Sequence, residues 1–334
     1  MKRYKLWIIY ICILCIFIYF SKYIISEQDK HKIEKKEDEI EKNVEEEKIN
    51  QTIRVKMAKT GEIVAMDVND YIRGVLPSEM PPSFEIEALK AQAIVARTYL
   101  YNKIENRSHA DADICDNFAH CQAFYPKEKI IEIWKGRGFD DNTIKEYTEK
   151  INIATNETSN LAIKYKGKYI KAFFHANSGG KTEESDQIWG GEKLEYLRSV
   201  ESLGEEEHKF YQTVTKINKE DFVNKIREKI DSMYKKQDKN IEIIDYTTSG
   251  RVKNVKVGSN TIKATTVRTL FELKSTNFTV EENENEIIFK VQGYGHGVGL
   301  SQTGANYYAK QGLNAESIIL HYYTGVSVVN IDKK

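Results

Sequence analysis

Residues 83–100, SFEIEALKAQAIVARTYL, decide the fold. Ile86, Leu89, Ala93, Ala96 and Leu100 recur at spacings of three and four, which predicts a helix with one buried stripe. Ser83 stands where a side-chain oxygen caps a first turn. Lys90 and Arg97 are seven apart and so share one flank of that helix. Just upstream lies the loop Pro77-Ser-Glu-Met-Pro-Pro, preceded by a short helix, Asp70–Leu76, for which Asn69 is the cap. Further upstream, Ile53–Ala58 and Glu62–Val68 read as two strands around the turn Lys59-Thr60-Gly61.

Downstream, a loop bearing Cys and His leads into a helical stretch near 127–150. Leu161–Tyr165 and Tyr169–Phe174 form a hairpin around Lys166-Gly167. Residues 219–236 read as a surface helix, and 241–246, 251–257 and 286–292 as strands. A glycine-rich loop (293–299), a helix to about Lys310, a second helix from Asn314 and a strand Val326–Ile331 close the chain. Helices and hairpins alternate without a βαβ rhythm, so the expected class is α+β, with mixed helices and antiparallel strands.

The N-terminus carries a different signal. Lys2, Arg3 and Lys5 precede a run without charge from Leu6 to Phe20, extended past Lys22 by Tyr23, Ile24 and Ile25. As a helix, Leu6–Ile25 matches a hydrocarbon core of roughly 30 Å, and Lys22 can snorkel to the headgroups. The basic cluster before the run places the N-terminus in the cytoplasm and the rest outside. A cleaved signal peptide and a buried core helix are the alternatives. The run is long for a signal sequence and no small-x-small cleavage site follows it. Cys12 and Cys15 lie within the run as apolar filler. Residues 27–51 are almost wholly charged and cannot bury enough surface to fold alone, so they read as a stalk. The expected organisation is thus an anchor over 1–26, the stalk over 27–51 and one extracytoplasmic domain over 52–332. The 50 basic residues are matched by 50 acidic ones, which argues against a chain built to coat nucleic acid.

Three groups of residues could carry chemistry. Glu79 stands alone among Leu76, Met80 and prolines, where burial raises a carboxyl pKa and preserves a proton for donation. A lone loop glutamate is more often a cap partner or a surface charge. His109, Cys115, His120 and Cys121 offer four soft donors within thirteen residues, suited to a closed, structural tetrahedral zinc. A Cys115–Cys121 disulfide or two unpaired thiols are the competing readings. Gly293-Tyr-Gly-His-Gly-Val-Gly lacks the dinucleotide-binding spacing and setting, so a sugar-facing or structural loop fits better. His296 is either a ligand contact or a loop brace. Phe174-His-Ala-Asn-Ser-Gly-Gly is a similar strand-to-turn element with Asn177 and Ser178 at its tip.

Taken together, VLPSEMP (75–81), ALKAQA with ART (88–98), HANSGG (175–180), YL-x-SV (196–200) and GHGVGLSQTGA (295–305) resemble the SpoIID/LytB family, over roughly residues 52–332. The resemblance implies a membrane-tethered peptidoglycan lytic transglycosylase of spore engulfment, with an active-site cleft between lobes. It implies Glu79 as the catalytic acid and base, and Arg97, Tyr196, Arg198, Ser178 and Gln302 as glycan contacts. It also supports zinc on the four His and Cys residues, as a structural cofactor that the chemistry does not require. The implied partners are the glycan strands, a SpoIIP-like amidase/endopeptidase and a SpoIIM-like membrane protein, with the domain in the space between mother cell and forespore. Two rivals stand beside this reading. One is a non-catalytic enhancer of a wall amidase. The other is a metal-dependent wall hydrolase, disfavoured because two thiolates quench Lewis acidity.

Overall fold

The computed structural model describes residues 52–235 and 240–332, so the expected anchor and stalk lie outside the described residues. Among the described residues no helix is long and apolar enough to cross a membrane. The chain from Thr52 forms one compact unit of mixed helices and small sheets, in line with the α+β expectation.

Strands β1 (Thr52–Lys56) and β2 (Ile63–Asp67) pair antiparallel, as the turn between them predicts. Helix α1 then runs Val68–Glu79. It is longer than expected at both ends. Asp67, not Asn69, caps it, accepting from the Asn69 N–H at 2.8 Å. Pro77 sits inside the last turn, where loss of a single N–H is tolerated, and the Ser78 hydroxyl donates back to the Gly74 carbonyl at 2.6 Å. Glu79 is therefore a helix-terminal residue and not a loop residue.

Helix α2 spans Ile86–Glu105 and is the centre of the molecule. Only Lys90 breaks a buried run from Ala88 to Tyr101. The expected stripe is thus too narrow, because this helix is enclosed on every side. Alanines at 88, 91, 93 and 96 let neighbours approach its backbone closely. Its N-terminus is not capped by Ser83. The Glu85 N–H instead donates to Asn306 Oδ1 at 2.8 Å, a long-range substitute for a local cap.

Strand β3 (Ile114–Cys115) adds to β1 in parallel. The expected helical stretch is two helices, α3 (Lys127–Gly136) and α4 (Asp141–Glu157). Gly138, at φ 87°, breaks it, and Asp140 caps the second helix. Strands β4 (Leu161–Tyr165) and β5 (Lys168–Tyr169) form the expected hairpin, with positive φ at both Lys166 and Gly167. β6 (Phe174–His175) leaves that sheet, and the small helix α5 (Ser185–Trp189) follows.

A second core begins at β7 (Gln212–Asn218) and α6 (Lys219–Lys229), and continues through β8 (Glu242–Tyr246), β9 (Val252–Val257), β10 (Asn260–Lys263), α7 (Ala264–Leu270), β11 (Phe278–Glu282) and β12 (Glu286–Gln292). Two antiparallel three-stranded sheets, ordered β10-β9-β8 and β11-β12-β7, enclose Phe222, Phe271, Phe289 and Val255. β13 (Leu300–Ser301) returns to pair in parallel with β6. Helices α8 (Gln302–Lys310) and α9 (Ala315–Tyr322) cover α2, and β14 (Ser327–Asn330) pairs antiparallel with β4. The two parallel pairings are the departure from an antiparallel expectation.

Gly304, in the first turn of α8, marks the tightest helix approach. A Cβ there would fall 2.1 Å from both Ser202 Oγ and Tyr322 OH, which bond each other at 2.6 Å. Gly304→Ala is expected to destabilise the fold by about 1–3 kcal/mol, read as a lowered urea midpoint with an unchanged slope. An unaltered midpoint would contradict this packing.

Candidate active site

Glu79 ends α1 half-buried, with Oε1 accepting from the Ala123 N–H at 2.7 Å. Burial raises its carboxyl above the ordinary range, and the Ala123 N–H opposes that shift. This is the protonation bias expected of a proton donor. The segment that supplies Ala123 is strapped to α1. Phe124 stacks on Tyr71 at 5.4 Å and 14°, Tyr71 OH donates to Gln122 Oε1 at 3.3 Å, and Tyr125 N–H reaches the Gly74 carbonyl at 3.4 Å. Gly74 is required here, since a Cβ would lie 2.3 Å from the Phe124 ring.

The same segment holds the His and Cys cluster. Donor atoms of His109, Cys115, His120 and Cys121 all lie within 4.8 Å of one another. His109 Nε2 is 3.2 Å from Cys121 Sγ, and His120 Nδ1 is 3.5 and 3.4 Å from the sulfurs of Cys115 and Cys121. A tetrahedral zinc with its usual bond lengths needs ligand separations of roughly 3.3–3.8 Å, so these residues fit such an ion. The two thiols are not joined. Neighbouring residues can serve together because the chain turns sharply at Asn117, whose carbonyl accepts from the N–H groups of His120 and Cys121. Burial lowers the pKa of His109, which favours the neutral imidazole that ligates metals. Burial pushes the Tyr71 and Tyr99 hydroxyls up, and the charges of Cys121, Cys115 and Glu79 add to that, so carboxylate and cluster share one neighbourhood.

The hydrogen bonds and ion pairs that the expected glycan contacts make among the described residues go to groups other than Glu79. Arg97 is fully buried, donating from Nη1 to the Thr158 carbonyl at 2.5 Å and from Nη2 to Asn69 Oδ1 at 2.9 Å. Its expected cleft position is corrected: enclosure of α2 turns this flank inward, and Arg97 braces α1 and the end of α4. Ser178 is buried as well, its hydroxyl donating to Glu205 Oε1 at 2.7 Å and its N–H to Glu205 Oε2 at 2.9 Å. Gln302 is buried, donating to Gln92 Oε1 at 3.3 Å. Both are internal ties rather than surface contacts. Tyr196 accepts from the Lys171 N–H at 3.2 Å and packs on Tyr165, beside a shallow depression bordered by Asn102 and Tyr169. Arg198 pairs with Glu184 and Asp186, each at 3.2 Å, and donates to the Leu194 carbonyl, which pins α5 in place.

Sequence reading missed the two carboxylates that organise the glycine loop. Glu205 gathers Ser178, Ser202 and Asn177, while buried Glu183 accepts from the hydroxyls of Thr247 and Ser249. Arg251 lies between them, bonded to the Ser178 carbonyl and packed where Gly297 has no Cβ. Neither glutamate has a local motif, because their partners are 64 and 27 residues distant or more in most cases. His296 is neutral. Burial, with Arg268 and Arg251 nearby, pushes it down to about 3, and its Nδ1 accepts from the Val298 N–H at 3.0 Å. An apolar cavity of about 440 Å³ is lined by Asp70, Arg73, Gly74, Pro77 and Trp134 among others. By helical spacing Glu79 points away from that face of α1.

Residues 56–165, which contain Glu79 and the cluster, match the family model described as SpoIID, Stage II sporulation protein, and residues 195–299 match a domain of unknown function, DUF8618. The chain is 29% identical to Stage II sporulation protein D of Bacillus subtilis (strain 168) over 79% of this chain and 75% of that protein. It is 24% identical to a Bacillus subtilis protein called Amidase enhancer, over 78% of this chain but 40% of that protein. Its similarity to Stage II sporulation protein D of Bacillus amyloliquefaciens reaches 30% identity, over 79% of this chain and 75% of the relative. Such coverage, together with the family match across α1 and α2, makes this chain a member of the SpoIID family.

Proposed function

We propose that this chain is a lytic transglycosylase that cuts the bond between N-acetylmuramic acid and N-acetylglucosamine in peptidoglycan. The observation that carries this reading is Glu79, a half-buried carboxyl with a raised pKa and one backbone donor among the described residues. The Glu79 proton passes to the glycosidic oxygen as the bond from muramic C1 to that oxygen breaks. The resulting carboxylate then takes the proton of the muramic C6 hydroxyl as O6 closes on C1. The product is a 1,6-anhydro ring, and Glu79 ends protonated as it began. No water is consumed, and no second carboxylate of the kind used by glycoside hydrolases is needed.

Membership in a sporulation family supports a role in remodelling the wall during engulfment. In that setting a SpoIIP-like amidase/endopeptidase removes stem peptides before this enzyme acts, and a SpoIIM-like membrane protein holds the assembly at the septum. The charged stalk and apolar N-terminal run would tether the domain on the outer face of the membrane. Zinc on His109, Cys115, His120 and Cys121 would be structural, with four protein ligands closing its shell. Its contribution would be to fix the 115–123 segment and so the N–H that orients Glu79. The relative named Amidase enhancer favours a second reading, a glycan-binding module that stimulates a wall amidase.

Glu79→Gln is expected to lower release of anhydromuramyl ends from peptide-stripped glycan by about 10²–10⁴-fold. Mass spectrometry of the products reads this, and full activity in that variant would sink the assignment. The pH profile offers a second check. The acid must hold its proton, so the rate falls as pH rises through the pKa of Glu79, and burial places that limb above the ordinary range for glutamate. A limb at or below that range would contradict the site. For the metal, elemental analysis should give about one zinc per chain, absent from Cys115→Ala. An intact Cys115–Cys121 bridge under non-reducing conditions would overturn it.

A further inference from the structure

A file of aromatic rings leads from Tyr99 on α2 to the surface. Tyr99 donates from its hydroxyl to the His120 carbonyl at 3.3 Å, in the segment that also supplies the Ala123 N–H to Glu79. The Tyr99 ring meets Phe173 edge-on at 6.4 Å, and Phe173 meets Trp189 at 4.9 Å. His296 closes the group, 5.1 Å from Trp189 and 6.2 Å from Phe173. Exposure grows along the file: Tyr99 is buried, Phe173 is half-buried and Trp189 is 47% exposed.

The indole is held, yet open. Phe173 and His296 support it from within, and the Arg198–Asp186 pair fixes the helix that carries it. Gly190 and Gly191 follow at positive φ, and a Cβ at either would meet nothing within 4 Å. The neighbouring exposed residues are polar: Glu192, Lys193 and Lys253, the last bonded to Gln187 at 3.2 Å. A lone exposed indole in a polar rim is a poor protein-docking patch, which needs contiguous apolar area. It suits an amphipathic ring, whose C–H face lies on the aromatic face while its hydroxyls and amides turn to the polar rim.

We propose that Trp189 is a stacking platform for a sugar ring of the glycan strand, forming a subsite at the exposed end of this file of rings. This rests on the glycan-binding part of the function proposed above, and not on the bond-cutting step. The platform sets affinity and register along the strand. Arg198 is a positioning residue for it, acting through Asp186.

Binding is measured with the full chain in detergent micelles, carrying Glu79→Gln so that strands stay intact. The probes are peptide-stripped glycan strands and soluble β-1,4-linked N-acetylglucosamine oligomers. Trp189→Ala should weaken binding about three- to tenfold, while Trp189→Phe keeps most of it and Val214→Ala, an exposed apolar site on β7, leaves it unchanged. In a Trp7→Phe background, oligomer addition should shift the tryptophan emission of the parent, and Trp189→Phe should abolish that shift, since the remaining Trp134 is buried. With Glu79 restored, Trp189→Ala should raise KM and spare kcat. Equal binding by parent and Trp189→Ala, or an emission shift that survives in Trp189→Phe, overturns the platform. Strand binding that depends on Trp189 without anhydro products from the active parent keeps the platform and removes the transglycosylase step. Cleavage with unaltered binding in Trp189→Ala does the reverse.

Discussion

Enclosure of α2 on all sides is the constraint from which the rest of this structure follows. Each large apolar side chain it buries contributes about 1.5–3 kcal/mol, but only if four helices and the β4 sheet are all present to cover them. The chain therefore brings α1, α4, α8 and α9 from distant parts of the sequence onto one rod. Alanine and glycine at the contact points set the distances. Gly304 lets α8 close against Tyr322 and Ser202, and Gly74 lets the 122–125 segment lie flat on α1. Once these layers close, the end of α1 has one place to go, and Glu79 arrives opposite the Ala123 N–H.

Local periodicity and turn chemistry made much of the scaffold legible in sequence. The β1–β2 turn, the Lys166-Gly167 hairpin and the strands at 252–257 and 286–292 stand close to where their patterns put them. What could not be read has a common cause. A burial stripe reports one face, and it cannot reveal that a helix is covered on the others too, so nothing in the periodicity showed that Arg97, a glycan contact by resemblance, is buried. Ser83 looked like a cap, while the actual partner of the helix N-terminus is Asn306, 221 residues away. Pro77 looked like a stop, yet at the last turn a proline forfeits only one hydrogen bond, and the Ser78 hydroxyl adds one back to the Gly74 carbonyl. Strands of two residues, such as Phe174–His175 and Leu300–Ser301, are too short for any period to mark.

The His and Cys cluster was visible as composition, but its relation to Glu79 was not. The link runs through a short stretch of backbone: Cys121 is two residues before Ala123, so whatever orders the cysteine also orders the donor that aims the carboxylate. A metal held by these four residues would in this way order the donor to Glu79 without touching a substrate. A positional error in a catalytic group of even an ångström is costly to rate. Fixing the segment close to the carboxylate is therefore more effective than stiffening the distant sheet.

Of the buried and half-buried glutamates, Glu79, Glu183 and Glu205 differ in what surrounds them, and the difference bears on which is suited to proton transfer. Glu183 is fully buried, with the hydroxyls of Thr247 and Ser249 on one oxygen and the Glu184 N–H on the other. Glu205 is equally enclosed, and Ser178 and Ser202 occupy both of its oxygens. Every donor spent on these two locks the loops around the glycine-rich segment and leaves no approach for a sugar oxygen. Glu79 has burial enough to raise its pKa, one donor to orient it, and partial exposure through which a glycosidic oxygen can reach it. A carboxyl used for structure is saturated with donors, and one used for proton transfer must keep a lone pair and its proton available. By that criterion Glu79 is the one of the three whose surroundings suit the proton transfer proposed for it, while the buried pair around Arg251 braces the glycine-rich loops.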